Sequence, residues 1–279
     1  MILASWRTIR RVTRLVDVVL EVLDARDPVG TRSRKLERIV EREGKKLIIV
    51  INKADLVPRE ILEKWKRIFE SEGYPTVYIS ARDRLGTSIL RKTILKIADK
   101  KGDIVKVAVV GFPKVGKSTI INVLKGKHSA STSPIPGSPG YTKSTQWYRV
   151  DKKILILDTP GILPVKGDDI EAAIRGKAPD ELKDPVKPAI ELLKRALKYN
   201  PNVIRETYGI SETDPYKILV KICEKRHWYY KKDREPLIEE AAKMVIRDWH
   251  RAKLVFYTRP EEYLKSRESS NSKPVGNSK

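Results

Sequence analysis

The segment VKVAVVGFPKVGKSTIINVLK, residues 105–125, decides the expected fold because a hydrophobic strand runs into a glycine-rich loop and then into a helix. Its centre, GFPKVGKS, fits the phosphate-loop pattern G-x-x-x-x-G-K-S. Glycines allow the backbone to curl so that successive amide groups face one phosphate chain, with a helix N-terminus behind them. We expect Lys117 to reach the β- and γ-phosphates of a nucleotide and the Ser118 hydroxyl to bind Mg²⁺. The predicted nucleotide contacts in this segment are Gly111, Pro113, Lys114, Val115, Gly116, Lys117, Ser118 and Thr119.

A second motif, LDTPG, ends a later strand about forty residues beyond the phosphate loop. A carboxylate at a strand end beside such a loop suits a second protein ligand of Mg²⁺, so Asp158 is expected to hold the metal. The amide of Gly161 is expected to contact the γ-phosphate, since glycine lets the backbone approach closely. Thr142, in the Ser/Pro/Gly-rich interval between the motifs, is expected to complete the Mg²⁺ shell; Thr132 and Thr145 are alternatives. The predicted metal ligands are Ser118, Thr142 and Asp158, and the predicted catalytic residues are Lys117, Thr142 and Gly161.

A third motif comes before the phosphate loop. The apolar strand LIIVI ends at Asn-Lys-Ala-Asp, residues 52–55. Asp55 can accept two hydrogen bonds, from N1–H and N2–H₂ of guanine, and adenine offers no such pair. Lys53 is expected along the base plane, and Asn52 is expected to brace the neighbouring loops. Taken alone, the tetrapeptide is equally consistent with a strand-to-helix turn in which Asp55 caps the helix.

The next strand ends at Ser80-Ala81-Arg82, whose backbone amides are expected to approach guanine O6. With the phosphate loop and LDTPG in the same chain, the combination favours a guanine-reading site over a chance turn. The predicted base-side contacts are Asn52, Lys53, Asp55, Ser80, Ala81 and Arg82.

The pattern of apolar segments predicts an α/β fold with a six-stranded, mostly parallel sheet. The base-reading motif comes first and the phosphate loop second, which is the reverse of the usual order. We therefore expect a circularly permuted Ras-like P-loop GTPase domain. If this domain retains the usual GTPase sheet, its spatial strand order is fifth, sixth, fourth, first, second, third. The last two strands, joined by Asp151-Lys152, must form an antiparallel hairpin. The predicted strands are residues 16–23, 46–51, 76–80, 104–110, 145–150 and 153–157, and the predicted helices between the first four are 31–43, 59–71 and 87–99.

The character of the chain changes after Gly161, where helical patterns replace strands. We expect a circularly permuted GTPase domain over residues 1–165, a small helical domain that binds RNA or a partner over 166–265, and a disordered, Ser/Asn/Lys-rich tail over 266–279. The predicted helices of the second domain are residues 169–176, 180–198, 203–208, 215–226 and 236–250.

Over residues 10–165 the sequence resembles the circularly permuted GTPases of ribosome assembly. The likeness adds Asp-Ala-Arg-Asp-Pro at residues 24–28, which fits the D-A-R-x-P signature of that family, and Ser-Pro-Gly-Tyr-Thr at 138–142. The resemblance implies binding and hydrolysis of GTP, with GDP as product, coupled to maturation of the large ribosomal subunit. It also implies that a C-terminal domain contacts ribosomal RNA or protein.

Two positions depart from what related GTPases carry. Ile162 follows DTPG where Ras-like GTPases have the glutamine that orients water, so intrinsic hydrolysis is expected to be slow and to be stimulated by a partner or an ion. Lys114 stands where many relatives have an asparagine associated with bound K⁺, which puts a K⁺ requirement in doubt.

The composition points to a polyanionic partner. The formal net charge is +22 over 279 residues, and the excess is spread along the chain. Such a field attracts nucleic acid, although a charged thermophile surface is the alternative. A basic stripe on one predicted helix and a cation–aromatic run, residues 225–232, are candidates for RNA contact, with a charged outer face and a core role as their alternatives. The stripe consists of Arg7, Arg10, Arg11 and Arg14.

No segment has the length needed to span a bilayer, and no signal peptide is recognisable. Cys223, the single cysteine, cannot form an internal disulfide. We therefore expect a cytoplasmic protein that is a monomer when free, has no membrane partner and binds a precursor of the large ribosomal subunit through its RNA. The alternatives are a GTP-dependent switch for a protein or tRNA partner, an ATP-using kinase or transport ATPase, and a scaffold that binds but does not hydrolyse the nucleotide.

Overall fold

The computed structural model describes residues 5–100, 102–125, 146–158, 163–165 and 168–271. Within these residues, six strands form one sheet in the order β3-β2-β1-β4-β6-β5. All neighbouring strands are parallel except the pair β5–β6. This arrangement confirms the predicted fold class and strand order. The strands are β1 Val18–Asp24, β2 Lys46–Asn52, β3 Thr76–Ile79, β4 Val105–Gly111, β5 Gln146–Arg149 and β6 Ile154–Asp158.

Helices cover both faces of the sheet and continue into an all-helical part. The helices are α1 Trp6–Leu15, α2 Arg34–Arg42, α3 Arg59–Ser71, α4 Thr87–Ala98, α5 Lys117–Lys125, α6 Asp169–Ile174, α7 Val186–Tyr199, α8 Val203–Tyr208, α9 Pro215–Arg226, α10 Ile238–His250 and α11 Pro260–Asn271. No helix in the described ranges is both long enough and apolar enough to cross a bilayer.

The buried apolar residues form two separate clusters. The sheet core joins β1, β2, β4 and β6 to helices α1–α5 and includes Trp65 and Phe69. The helical core joins α6–α10 and includes Leu192, Cys223 and Trp249. Strand β1 is buried at every position because helices cover both faces of the sheet beside it.

The predicted helix over residues 180–198 differs from the observed structure. A 3₁₀ turn, Pro179–Glu181, comes first, and α7 begins only at Val186. The proline at 188 lacks an amide hydrogen, and it fits where it is because it lies in the first turn of α7, whose amides have no helical partner. The Asp184 side chain instead accepts a hydrogen bond from the Val186 amide at 2.9 Å.

The end of the described chain returns to the sheet. Tyr263 of α11 packs against Trp65 with ring centroids 5.8 Å apart, and its hydroxyl donates to Glu72 at 2.8 Å. Arg267 forms an ion pair with the same glutamate at 2.5 Å. These contacts hold a polar helix through Asn271. The described helix thus continues through residues 266–271, where the composition predicts the start of a disordered tail, because composition alone does not reveal an anchor about two hundred residues away.

The cation–aromatic run at residues 225–232 divides between core and surface. Trp228 packs, partly buried, against the helical core, and Tyr230 remains half exposed. The structure therefore assigns a core role to Trp228 and leaves Tyr230 at the surface.

Glu21 is a carboxylic acid at the centre of the sheet. Its side chain is fully buried in β1, the Ser33 amide donates to Oε1 at 2.6 Å, and Oε2 has no hydrogen-bond partner among the described atoms. Burial and the nearby Glu37 carboxylate raise the pKa of Glu21 to about 8. The folded protein therefore holds this proton at neutral pH, whereas the unfolded chain has released it.

This difference makes the free energy of unfolding depend on pH. The folded state binds more protons than the unfolded state between the ordinary pKa of 4.5 and about 8, so stability falls as pH rises through this window. The slope due to this group is at most about 1.4 kcal/mol per pH unit. Glu21→Gln keeps the shape of the side chain but removes the group that titrates. It should therefore flatten the pH dependence of the free energy of unfolding, measured by urea unfolding between pH 5 and pH 8.

The matched control is Glu41→Gln, at an exposed position on α2. It should leave the pH profile parallel to that of the wild type. A Glu21→Gln profile that also runs parallel would contradict the assignment of a buried, protonated Glu21.

Candidate nucleotide-binding site

The candidate site lies at the carboxyl edge of the sheet, where ligands bind in open α/β folds. Strands β1, β2, β3, β4 and β6 run parallel, so their C-terminal ends meet at this edge. The sequence motifs follow four of these ends: residues 24–28 after β1, 52–55 after β2, 80–82 after β3 and 111–118 after β4. The fold therefore brings together motifs that lie far apart in the chain.

The phosphate loop connects β4 to α5 and has no room for side chains at its glycines. Gly116 has φ +97°, and a Cβ there would lie 2.2 Å from Nδ2 of Asn52. A Cβ on Gly111 would lie 2.6 Å from the carbonyl oxygen of Val22. Both glycines are therefore required by close backbone approach, as the sequence pattern predicts. The loop ends at the N-terminus of α5, where Ser118 and Thr119 are exposed.

Lys117 folds back over the phosphate loop. Its Nζ donates to the carbonyl oxygen of Phe112 at 2.6 Å. Burial lowers the pKa of Lys117 to about 7. An ammonium group in this environment is stabilised by an approaching anion, which is what a phosphate-binding lysine requires.

Asn52 joins the base-side loops to the phosphate loop. Its side chain is buried at the end of β2, where Nδ2 donates to the carbonyl oxygen of Val115 at 2.8 Å. Its Oδ1 accepts a hydrogen bond from the amide of Ala81 at 3.1 Å. These are the bracing contacts expected of Asn52. They also occupy the Ala81 amide, for which the sequence predicts a contact with guanine O6.

Asp55 lies beside the loop that follows β3. Its Oδ1 accepts a hydrogen bond from the Ser80 hydroxyl at 2.7 Å, and Oδ2 forms an ion pair with Arg82 at 2.9 Å. The Arg82 side chain is 71% exposed and so is free to swing away. The same Ser80 hydroxyl lies 2.8 Å from Oδ2 of Asp83, so the two carboxylates share its single proton. The serine thus contacts one oxygen of the Asp55 carboxylate, and an exposed cation covers the other.

Lys53 is held by the first motif of the chain. It has a left-handed backbone, with φ 64°, and its Nζ lies 2.7 Å from Oδ2 of Asp24. Burial lowers the pKa of Lys53, and Asp24 opposes that effect. Although burial disfavours the charged form of Asp24, the adjacent Arg26 and Lys53 hold its pKa below the usual value.

Arg26 carries this ionic contact into the helical part. It is fully buried and makes a bidentate pair with Asp24, at 3.0 and 2.8 Å. Its Nη1 donates to the carbonyl oxygen of Trp249 at 2.6 Å, and its guanidinium lies 3.8 Å from the centroid of that indole. The sequence indicates Arg26 only as part of the D-A-R-x-P signature and does not indicate Trp249. No local pattern predicts a contact between residues that are 223 positions apart.

Helix α6 of the helical part lies directly on the phosphate loop. Gly176, just beyond α6, has φ +88°, and a Cβ there would lie 2.6 Å from the carbonyl oxygen of Pro113. The Arg175 guanidinium lies 5.0 Å from the ring of Phe112. Lys114, also in the loop, has a left-handed backbone and an exposed side chain. A substitution at Gly176 would therefore push α6 away from the loop.

Some residues that the sequence predicts to act at this site lie wholly or partly outside the described residues. Thr142 and Gly161 lie outside the described residues, as does Ile162. Asp158 ends β6, the neighbour of β4, but its side chain lies outside the described part. Within the described ranges no group of three or more His, Cys, Asp or Glu side chains is placed to hold a metal ion.

Comparison with known proteins decides the family. The model of the RsgA GTPase family matches residues 9–166, which include every motif described above. The chain belongs to the RsgA GTPase family. The motif order and the sheet topology make it a circularly permuted member of the GTPase fold.

Relatives and solved structures agree with this assignment. A GTP-binding protein of Methanocaldococcus jannaschii is 42% identical over 247 residues, which cover 86% of this chain and 63% of the relative. Nucleolar GTP-binding protein 2 of Schizosaccharomyces pombe is 34% identical over 276 residues, which cover 96% of this chain and 50% of the relative. The chain thus spans about half to two thirds of the length of these curated relatives.

Two solved structures of YlqF resemble the whole described fold. The GDP-bound structure of TM YlqF is 27% identical, with TM-score 0.63, and the match covers 91% of this chain and 100% of that chain. The GNP-bound structure of YlqF from T. maritima is 29% identical, with TM-score 0.62, over 91% of this chain and 97% of that chain.

The position of Asn52 leads to a test of the site. Asn52→Ala removes two hydrogen bonds and leaves the buried Val115 carbonyl and Ala81 amide unpaired, so the base-side and phosphate loops lose their common brace. GTP affinity should fall by about tenfold or more, which corresponds to about 1.4 kcal/mol. Isothermal titration calorimetry with GTP measures this change.

Asn122→Ala, at an exposed position on α5, is the matched control and should bind GTP like the wild type. Unchanged GTP affinity in Asn52→Ala would show that the two loops do not depend on this side chain.

Proposed function

We propose that the protein binds GTP at the carboxyl edge of its sheet, hydrolyses it slowly with Mg²⁺, and acts in assembly of the large ribosomal subunit. The observation that carries the proposal is the pair of hydrogen bonds by which Asn52 ties the Asp55 side of the edge to the loop around Lys117. The brace supports a guanine reader at Asp55 and a phosphate cradle around Lys117, because it links the loops that carry these two residues.

Base selection follows from the surroundings of Asp55. The carboxylate accepts from N1–H and N2–H₂ of guanine once Arg82 releases Oδ2, and Ser80 keeps Oδ1 oriented. Adenine would leave the carboxylate unpaired in the site, which disfavours ATP and the kinase or ATPase alternative. The exposed Arg82 guanidinium then remains available to lie against the base.

Phosphate binding uses the loop backbone and Lys117. The ammonium group leaves the Phe112 carbonyl and moves to the β- and γ-phosphates, while the loop amides and the N-terminus of α5 face the same chain. The low pKa of Lys117 in the free protein rises when the anion arrives, because an opposite charge favours the protonated form.

The residues around the loop fit a magnesium ion. Ser118 is exposed at the start of α5, and Asp158 ends the strand next to β4. Both are oxygen donors, and Mg²⁺ takes few protein oxygens beside substrate phosphates and water. A bound Mg²⁺ neutralises charge that develops on the phosphate oxygens. Thr142 and Gly161 are proposed to complete the site from outside the described residues.

The proposed slow rate rests on Ile162, whose side chain cannot orient water. A partner or an ion would supply the missing group. Lys114 is exposed beside the loop, which supports hydrolysis without a K⁺ requirement.

We further propose that the nucleotide state is passed to the helical part, taken as residues 166–265 beside a GTPase domain of residues 1–165. Two contacts support this route: Gly176 against the phosphate loop, and Arg26 between Asp24 and Trp249. Both begin at nucleotide-binding loops and end on helices of the second core. A relative named as a nucleolar GTP-binding protein and the net charge of +22 support a ribosomal RNA partner.

The guanine reader can be tested by a switch in base preference. Asp55→Asn replaces an acceptor with an amide that donates to the C2 oxygen of xanthine and accepts from its N1–H. GTP affinity should fall by about a hundredfold or more, and XTP should bind better than GTP, since each unmatched polar group costs several-fold in affinity. Competition against a fluorescent nucleotide measures both constants.

Asp83→Asn is the control, because it alters a neighbouring carboxylate that also contacts Ser80. It should keep the preference for GTP. Loss of nucleotide binding without a gain for XTP would count against Asp55 as the base reader.

The ribosomal role is tested by turnover and co-sedimentation. The purified full chain should hydrolyse GTP well below about 1 per second, and large-subunit precursors should raise the rate. In a GTP analogue the protein should sediment with those precursors, and in GDP it should remain in the supernatant. Fast turnover of the isolated chain, or equal sedimentation with tRNA and precursors, would reject this function.

A further inference from the structure

Helices α1 and α2 form a groove on a surface that the nucleotide site does not use. They lie side by side and run in the same direction: the Lys35 ammonium lies 4.5 Å from the Trp6 ring near their first turns, and Arg14 pairs with Glu43 at 2.8 Å near their ends. The space between them measures about 530 Å³. We call it the cationic groove, and its lining residues are Trp6, Arg7, Arg10, Lys35, Arg38, Ile39 and Arg42.

The groove carries positive charge that the described residues do not neutralise. Its five basic side chains are exposed. One carboxylate, Glu43, approaches from the end of α2, where it lies 3.7 Å from Arg10 and is shared with Arg14. No described carboxylate forms an ion pair with Arg7, Arg38 or Arg42, the other three arginines of the groove.

The acidic residues of α2 point elsewhere. Glu37 is buried and pairs with Arg32 at 2.5 Å, and Glu41 does not line the groove. Apolar residues on the inner faces of both helices, including Ile9, Val12 and Leu36, fix them to the sheet core. The two helices are therefore fixed to the core, and the cations that they carry face solvent.

We propose that the cationic groove binds the phosphate backbone of double-helical RNA; the choice of RNA rests on the proposed function. Arginine is suited to this task because its planar guanidinium donates two parallel hydrogen bonds to a phosphate. A ten-residue helix such as α1 is about 15 Å long, which is enough to lie along several consecutive phosphates of one strand of a duplex. Cations from two parallel helices then face a run of phosphates from both sides.

An acidic peptide is a poorer occupant. Peptide recognition in grooves relies on pockets for apolar anchors. Here Lys35 covers the ring of Trp6, and Ile39 is only 6% exposed. The groove thus offers charge with little apolar surface, which is the composition that a nucleic-acid backbone requires.

The test compares two triple variants of the full chain that lose the same charge. The groove variant carries Arg7→Gln, Arg38→Gln and Arg42→Gln. The control carries Arg67→Gln, Lys92→Gln and Lys217→Gln, at exposed positions on α3, α4 and α9. Fluorescence anisotropy with a short labelled RNA duplex is measured over a salt series, and GTP affinity is measured for both variants as a test of folding.

The groove variant should bind the duplex at least tenfold more weakly, and its slope of log K against log salt should be smaller by about 2 to 3, one step for each lost phosphate contact. The control should lose less than threefold, and both variants should bind GTP like the wild type. If both variants lose the same affinity for the duplex, binding depends on the overall positive charge and not on the groove, and the proposal is overturned. The proposal is also overturned if the groove variant keeps its affinity for the duplex but loses affinity for polyglutamate, which is the probe for an acidic peptide.

The proposal for the groove and the proposal of a ribosomal function can fail independently of each other. Groove-dependent duplex binding without sedimentation on large-subunit precursors leaves the groove assigned and rejects the ribosomal function. Sedimentation of the groove variant like the wild type, with unchanged duplex binding, keeps the ribosomal function and rejects the groove.

Discussion

The nucleotide site depends on one buried amide side chain. Asn52 donates to the Val115 carbonyl and accepts from the Ala81 amide, so it sets the separation between loops that follow β2, β3 and β4. Because the side chain is buried, water cannot replace either bond without a cost. The close fit of Gly116 against Nδ2 shows how little space the brace leaves. Along the chain the base-side loops come before the phosphate loop, and the fold brings them together through this contact.

A second constraint is the buried ionic chain from Lys53 through Asp24 to Arg26. Its charges offset one another, and the Arg26 guanidinium ends on the carbonyl and indole of Trp249. Removal of one member would leave an unpaired charge in the interior, which typically costs about 3–5 kcal/mol. The base-side loop and the helical core therefore cannot move independently without breaking either a buried ion pair or the contact of Arg26 with Trp249. These contacts join the D-A-R-x-P residues to both the base-side loop and the helical core.

Charge is used in two ways in this protein. Inside, Asp24, Glu37 and Glu72 are each matched by arginine or lysine, and Glu21 stays protonated in the sheet. Outside, the cationic groove keeps arginines that no described carboxylate neutralises. The interior pairs define the fold, and the exposed excess is available to a polyanion. The net charge of +22 therefore includes basic residues that lie together in the cationic groove.

Much of the fold and the identity of the site could be predicted from the sequence. Apolar periodicity predicted the strands, and the usual GTPase sheet, once the motifs pointed to it, predicted their order. GFPKVGKS, NKAD and LDTPG indicated which strand ends carry the chemistry, since each is a local pattern with a local physical cause. Only the tertiary structure decided that the Ala81 amide belongs to Asn52, that Arg26 ends on Trp249, that Gly176 lies against Pro113, and that α11 continues to Asn271. Each of these is a contact between segments far apart in the chain. No periodicity or motif records such a contact, because its energy arises only when packing brings the two partners together.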